Sequence, residues 1–193
     1  MYPHAGRITT LGWVWATAWA ASAVFHSRDF WLTERFDYFL GNAALAWMAY
    51  VGVVRAGWKL LGLERAGRRC GLILALVGLL AAHFRAGWRK INYARNVVLM
   101  VGLLVAHTFA WTYAALASPR PHNWMLFVTL SLTYVAGALE MFDFPPVLGS
   151  LDAHALWHAA TPPLALLFYA FLRSEMKFEF GQALREHVGH KRS

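Results

Sequence analysis

Residues 140–161 of the chain read E-M-F-D-F-P-P-V-L-G-S-L-D-A-H-A-L-W-H-A-A-T. Pro145 and Pro146 end the preceding apolar segment, because their fixed φ and missing N–H do not continue a helix. The next apolar segment opens with His154 and His158, four residues apart and so on one face of a helix. Two imidazoles placed in this way can bind one metal ion, with each nitrogen about 2 Å from a zinc. A catalytic site needs a third ligand from elsewhere in the chain.

The composition is that of a polytopic membrane protein. Of the 193 residues, 59% are hydrophobic, and the mean hydropathy is +0.40. The net charge of +8 comes from Lys and Arg in short loops between apolar segments. We interpret these cations as topology signals and as contacts with anionic lipid head groups. The loops lack the interleaved aromatic residues that stack bases, so the predicted partners are the bilayer and a membrane lipid substrate, with no nucleic acid.

Six membrane spans can be drawn along the sequence. Backbone groups in lipid must be paired within their own segment, so each span is predicted to be a helix and the fold an all-α transmembrane bundle. The third span is short and is expected to extend into its flanks. The first carries Ser22 and His26 and is treated as a mature span, not a signal peptide. We predict one helical domain at 1–173 and a cytoplasmic or surface-lying tail at 174–193. The spans cover roughly 9–26, 36–54, 70–84, 95–116, 123–141 and 150–172.

The distribution of Lys and Arg predicts the orientation. Twelve of the 18 lie at the termini and in the second and fourth loops, and six lie in the remaining loops. This bias favours both termini in the cytoplasm. The first and fifth loops then face the other side together, which predicts that the His pair lies on the non-cytoplasmic side.

The third metal ligand is expected at the same depth in the membrane as the His pair. The first span ends S-A-V-F-H, which places Ser22 and His26 on one helical face, and the second opens R-F-D-Y with Asp37. Three imidazoles would leave zinc a fourth position for water, whose pKa the metal lowers to about 7. Asp37 suits a proton carrier and Ser22 an oxyanion donor. The alternative from these residues alone is a hydrogen-bonded polar cluster that fixes helix packing.

Two blocks of this sequence resemble a known family. They are W-A-A-S-A-V-F-H-S-R-D-F-W-L-T-E-R-F-D-Y-F at 19–39, and L-E-M-F-D-F-P-P with L-D-A-H-A-L-W-H-A-A-T-P around the His pair. They closely resemble the GPI-remodelling membrane hydrolase family of post-GPI-attachment-to-proteins factor 3. That family belongs to the CREST superfamily with the alkaline ceramidases and the adiponectin receptors. The superfamily pattern S-x3-H, Asp, H-x3-H is matched by Ser22, His26, Asp37, His154 and His158.

The resemblance implies a zinc ion held by His26, His154 and His158, with Ser22 and Asp37 beside its water, and hydrolysis of an acyl bond in a lipid. It also implies seven spans, so this six-span sequence is expected to lack the leading helix. With only Cys70, the sequence does not contain the cysteine-rich region of the GPI-remodelling relatives, and we do not predict a GPI substrate from it. Two alternatives stay open: amide cleavage as in a ceramidase, and a non-catalytic receptor-like protein with structural zinc.

The remaining polar residues receive structural interpretations. Asp152 and Ser150 are candidate N-caps of the sixth span, and Asp152 alternatively orients a ligand His. His83 and His107 are interpreted as packing or interfacial residues. Loop or helix-end roles are predicted for Glu140 and Asp143. Solvated side chains are predicted for His4, His122, His187 and His190.

Overall fold

A computed structural model of the chain describes residues 5–58, 61–142, 144–146 and 151–190, the side chains of residues 140, 141, 186 and 188–190 excepted. Nearly all of that part is helical, and no strand occurs in it, which confirms the all-α prediction. The helices are α1 (Ala5–Ser27), α2 (Trp31–Ala56), α3 (Ala66–Gly87), α4 (Tyr93–Ala117), α5 (Asn123–Met141) and α6 (Ala153–His190).

Most of these helices match the dimensions of a bilayer. By length and apolar composition, α1, α2, α3, α4 and α6 can each cross a membrane, and α5 contains the shorter apolar segment Asn123–Leu139. The 22 residues of α3 confirm that the short third span extends into its flanks. Large apolar side chains such as Leu74, Val98 and Phe109 are 70% exposed or more, as expected for helix faces in contact with lipid. The chain is a multi-pass membrane protein.

Helices α1 to α4 form one compact unit within residues 3–117, and α2 packs against the other three. Small side chains, among them Ala44 and Ala46, are buried along α2 and allow close approach of its neighbours. The tightest place is Gly52, where an added Cβ would lie 2.7 Å from the ring of Trp111 on α4. Glycine is therefore required at this crossing, and α2 is the central helix of the unit.

A buried polar network joins α2, α3 and α4. The Asn42 amide donates from Nδ2 to Asn96 Oδ1 at 2.6 Å, and both residues are at most 2% exposed. His83 Nε2 lies 3.3 Å from the same oxygen, and Asn96 Nδ2 lies 3.2 Å from Met100 Sδ. Side-chain hydrogen bonds between helices fix their rotation about their axes. His83 therefore serves helix packing, as the sequence predicted.

The start of α2 is hydrogen-bonded to the connection between α3 and α4. The buried Arg35 side chain donates from Nε to the Trp88 carbonyl at 2.6 Å and from Nη2 to the Arg89 carbonyl at 2.9 Å. Its guanidinium also lies over the Trp31 ring, 5.3 Å from the centroid. Carbonyls at a helix C-terminus lack partners within their own helix, and here a buried cation satisfies them. The α2 turn that carries Asp37 is fixed in place as a result.

Helices α5 and α6 pack together in a second unit, residues 118–193. α5 ends at Met141, and residues 144–146 are non-helical, which confirms that Pro145 and Pro146 separate two helices. α6 has 38 residues and passes through the predicted boundary at residue 173 without a break. The division into 1–173 and 174–193 stays a prediction.

A buried ion cluster lies far along α6, and we use that name for Arg120, His122, Glu175 and Glu179. Arg120 Nη1 donates to Glu175 Oε2 at 2.5 Å and to Glu179 Oε1 at 3.0 Å. His122 Nε2 lies 2.7 Å from Glu175 Oε1, and the Glu175 side chain is 1% exposed. The prediction that His122 is solvated was therefore wrong. The short connection between α4 and α5 brings this imidazole against a carboxylate 53 positions away in the sequence.

Candidate metal centre

The His pair lies in the first two turns of α6, where a side-chain cap fixes the helix start. Asp152 Oδ1 accepts a hydrogen bond from the Ala155 N–H at 2.7 Å, so Asp152 is the N-cap. This confirms one of its two predicted roles. The other candidate cap, Ser150, lies outside the described residues, as do Asp143 and the side chain of Glu140.

The two imidazoles, which we call the imidazole pair, face each other across one helical turn. Their Nε2 atoms are 3.0 Å apart, and the ring planes are inclined by 82°. His154 is exposed and His158 is half-buried. Two nitrogens bound to one tetrahedral zinc lie about 3.4 Å apart, given bonds of about 2.05 Å. A small rotation of either ring would reach that separation, so the imidazole pair fits two positions of a zinc site.

Two prolines that follow the imidazole pair change the backbone hydrogen bonding of α6 at His158. Pro162 and Pro163 lie inside α6, and Pro162 has no N–H to donate to the His158 carbonyl one turn earlier. The Thr161 hydroxyl donates to that carbonyl instead, at 3.0 Å. Thr161 thus supplies the hydrogen bond that the proline removes at the residue bearing an imidazole.

The other predicted site residues belong to the unit of α1 to α4. Ser22 and His26 lie one turn apart near the end of α1, with Ser22 half-buried and His26 exposed. Asp37 is half-buried in the second turn of α2, which packs against α1. The Asp37 carboxylate has no hydrogen bond or ion pair within the described part of the chain.

The second unit brings the two imidazoles together. In the first unit, Ser22 and His26 lie near the end of α1 and Asp37 lies near the start of α2, and these two helices pack against each other. The complete set of three imidazoles, a hydroxyl and a carboxylate stays a prediction.

Sequence analysis missed two supporting residues, Arg35 and Thr161. A Thr-Pro pair following H-x3-H was the available signal for Thr161, because a proline inside a helix leaves the carbonyl four residues earlier without its donor. Nothing in the sequence indicated that Arg35 would bind carbonyls more than 50 positions away.

Comparisons with known proteins place this chain in a family. The Per1-like family matches residues 1–176. A Danio rerio protein named GPI-specific phospholipase A2-like PGAP3 is 32% identical over 88% of this chain and 54% of its own length. Its Homo sapiens counterpart is 32% identical over 84% of this chain and 51% of its own length. The Drosophila melanogaster post-GPI attachment to proteins factor 3 is 36% identical over 88% and 50%. No solved structure matches the chain.

The chain spans about half the length of these curated relatives. The match to the family contains all six helices as far as residue 176. The match therefore includes the imidazole pair and the ends of α1 and α2 that carry Ser22, His26 and Asp37. On this evidence the chain belongs to the Per1-like family.

Proposed function

We propose that this protein is a zinc-dependent intramembrane hydrolase that cleaves the acyl ester bond of a glycerolipid or glycolipid. The observation that carries the proposal is the imidazole pair. Its two Nε2 atoms lie 3.0 Å apart in the first turns of a helix whose N-terminus Asp152 caps. Family membership supports it, because the matched segment contains each residue that the mechanism requires.

The zinc ligands in this proposal are His154, His158 and His26. Imidazole nitrogen is a preferred zinc ligand, and three such ligands leave one coordination position open. When bound, zinc supplies a Lewis acid and a coordinated water whose pKa lies near 7. Three His would accept other divalent ions, so metal analysis must identify the ion.

Asp37 and Ser22 carry out the protein's share of the chemistry. The Asp37 carboxylate accepts a proton from the attacking water and returns it to the leaving oxygen. Its place on the turn fixed by Arg35 limits its motion, which keeps the proton donor in position. The Ser22 hydroxyl donates a hydrogen bond to the negative charge that develops on the carbonyl oxygen.

The substrate enters from the bilayer in this proposal. The relatives' names include a GPI-specific phospholipase A2-like activity, and a phospholipase of that type cleaves an ester, which favours ester over amide hydrolysis. A lipid reaches the site sideways between helices, and we place the reaction on the non-cytoplasmic side. An assay that compares ester lipids with N-acyl lipids distinguishes this activity from a ceramidase.

The experiment is metal analysis and lipid turnover on the full chain in detergent, with wild type beside His158→Ala and Asp37→Ala. We expect about one zinc per wild-type chain and its loss in His158→Ala. Turnover should fall by about 10³-fold or more in both variants, because each lacks several kcal/mol of transition-state stabilisation. The Asp37→Ala variant should keep its zinc.

The matched control is His187→Ala, which removes an exposed imidazole from the same helix. It should keep both metal and turnover. A folded wild type without metal, or His158→Ala with full turnover, would overturn the hydrolase mechanism. Bound zinc without turnover of any lipid would favour the receptor-like alternative.

A further inference from the structure

An open cavity of about 450 Å³ lies at the connection between α3 and α4. Two of the side chains that line it, Lys90 and Arg95, are positively charged and exposed, and Asn92 adds an amide. Ala86 and the mostly buried Ile91 complete the lining and give the cavity an apolar wall. We call this feature the cationic cavity.

The two cations lack acidic partners. Between Glu64 and Glu140 the sequence contains no Asp or Glu, although Arg85 and Arg89 add two further positive charges beside the cavity. The nearby acid Glu34 is already engaged, since it pairs with Arg35 at 3.3 Å and accepts a hydrogen bond from the Tyr93 hydroxyl. Within the described part of the chain, neither Lys90 nor Arg95 forms an ion pair. Asp29 also lies near Tyr93, but neither it nor Glu34 forms an ion pair with Lys90 or Arg95, so these two cations have no directly bound acid among the described residues.

Backbone polarity at the cavity favours an anion as well. Asn92 Oδ1 accepts from the Arg95 N–H at 3.0 Å, so Asn92 caps the N-terminus of α4, the positive end of the helix dipole. At the neighbouring C-terminus of α3, Arg35 already occupies the Trp88 and Arg89 carbonyls. Two carbonyls next to the cavity, those of Trp88 and Arg89, therefore already have a donor.

From this arrangement we propose that the cationic cavity binds the phosphate of an anionic phospholipid head group. A cation pair beside an apolar wall at the end of two membrane helices matches a lipid that presents a charged phosphate and acyl chains together. Arg35 and Tyr93 join the cavity to the start of α2, so the bound phosphate lies at the end of the unit that carries Asp37. The proposal does not depend on turnover, because binding alone tests it.

The test is calorimetric titration of the full chain in a neutral detergent. The probes are dioctanoyl phosphatidylglycerol, which carries a net negative charge, and dioctanoyl phosphatidylcholine, which carries none. We expect wild type to bind the anionic lipid about tenfold more tightly. This preference should shrink when sodium chloride is raised from about 0.05 to 0.5 M, because exposed charges are screened.

The decisive variant is Lys90→Gln/Arg95→Gln, for which we expect nearly equal affinities for the two lipids. The matched control, Arg65→Gln/Lys177→Gln, removes the same charge from exposed positions outside the cavity and should keep the preference. The inference is overturned if Lys90→Gln/Arg95→Gln keeps the preference, or if the control loses it equally.

Two further measurements identify the source of the phosphate and test whether lipid binding depends on the metal site. Inorganic phosphate at about 10 mM should compete weakly if the apolar wall contributes, whereas complete competition would identify the cavity as a site for phosphate from any source. Both results support the site. His158→Ala should keep the lipid preference even where turnover is lost, so failure of the hydrolase mechanism and failure of this inference give different results.

Discussion

Two regions of α6 place histidine side chains in different surroundings. Near the N-terminus of α6, the His154 and His158 rings face each other, and the His154 ring is exposed. About 32 Å further along the helix, at a rise of 1.5 Å per residue, both oxygens of the buried Glu175 carboxylate are engaged, one by His122 and the other by Arg120.

This difference distinguishes a structural histidine from a candidate ligand. The His122 imidazole is held against a buried carboxylate, so its nitrogen is already committed to the protein. The imidazole pair instead presents two nitrogens to one point at nearly the separation that zinc requires. The difference lies in the chemistry of the neighbour: His122 faces a carboxylate, whereas each member of the imidazole pair faces another imidazole.

The largest effect on folding is expected when the buried ion cluster is broken. Glu175→Gln removes the buried carboxylate shared by Arg120 and His122, and leaves the half-buried Arg120 guanidinium with only the partly exposed Glu179 as an ion partner. Loss of one partner from a buried ion pair costs about 3–5 kcal/mol. Denaturant unfolding in detergent, followed by tryptophan fluorescence, measures this loss. Zinc content per folded chain should be unchanged, because the imidazole pair lies in the first two turns of α6, far from Glu175 along the helix.

Glu179→Gln provides the control for that experiment. Its side chain is 26% exposed and forms only the second, 3.0 Å contact with Arg120. We expect a loss of about 1 kcal/mol or less. Equal losses in the two variants would show that burial of Glu175 does not distinguish the cluster from an ordinary surface pair.

The other end of α6 can be loosened through Thr161. Thr161→Val keeps the shape of the side chain but leaves the His158 carbonyl without the hydroxyl donor, at a cost of about 1–2 kcal/mol. Zinc affinity should fall as well, since the residue that bears one ligand becomes less fixed. Competition with a chelator measures this affinity. Thr161→Ser retains the donor and should behave like wild type, and a loss of affinity in Thr161→Ser would refute the role of the hydroxyl.

A smaller change is expected from the helix cap. Asp152→Ala removes the acceptor of the Ala155 N–H and should destabilise α6 by about 1 kcal/mol. Asp152→Asn keeps an acceptor of the same geometry and should recover most of that loss. If Asp152→Asn loses zinc while its stability recovers, the carboxylate charge acts on the imidazole pair, as in the alternative role predicted from the sequence.

The fold was largely predictable because long apolar segments leave few choices for a chain in lipid. Pro145 and Pro146 located the break before α6, and four-residue spacing placed His154 and His158 on one face. These features depend on neighbouring residues in the sequence, because hydropathy and backbone geometry directly predict where a helix breaks and which residues share a face. The spacing also placed Ser22 and His26 on one face of α1.

Contacts between distant residues were not predictable in the same way. His122 was expected to be solvated because it lies in a short loop between two apolar segments, yet its partner Glu175 comes from the far part of α6. Arg35 was counted only as a topology signal, although it binds the carbonyls of Trp88 and Arg89. In both cases the folded structure decides which group the charged or ionisable side chain contacts. The spacing of residues in a single sequence does not indicate such contacts.

The hydrogen bond between Asn42 and Asn96 also has a consequence for biosynthesis. The ribosome adds Asn96 54 residues after Asn42, which takes about 3–10 s at ordinary rates of synthesis. Throughout that interval the Asn42 amide must be hydrated or shielded by the insertion machinery, because its partner does not yet exist. The helix at the centre of the finished unit therefore completes its packing only after α4 has been made.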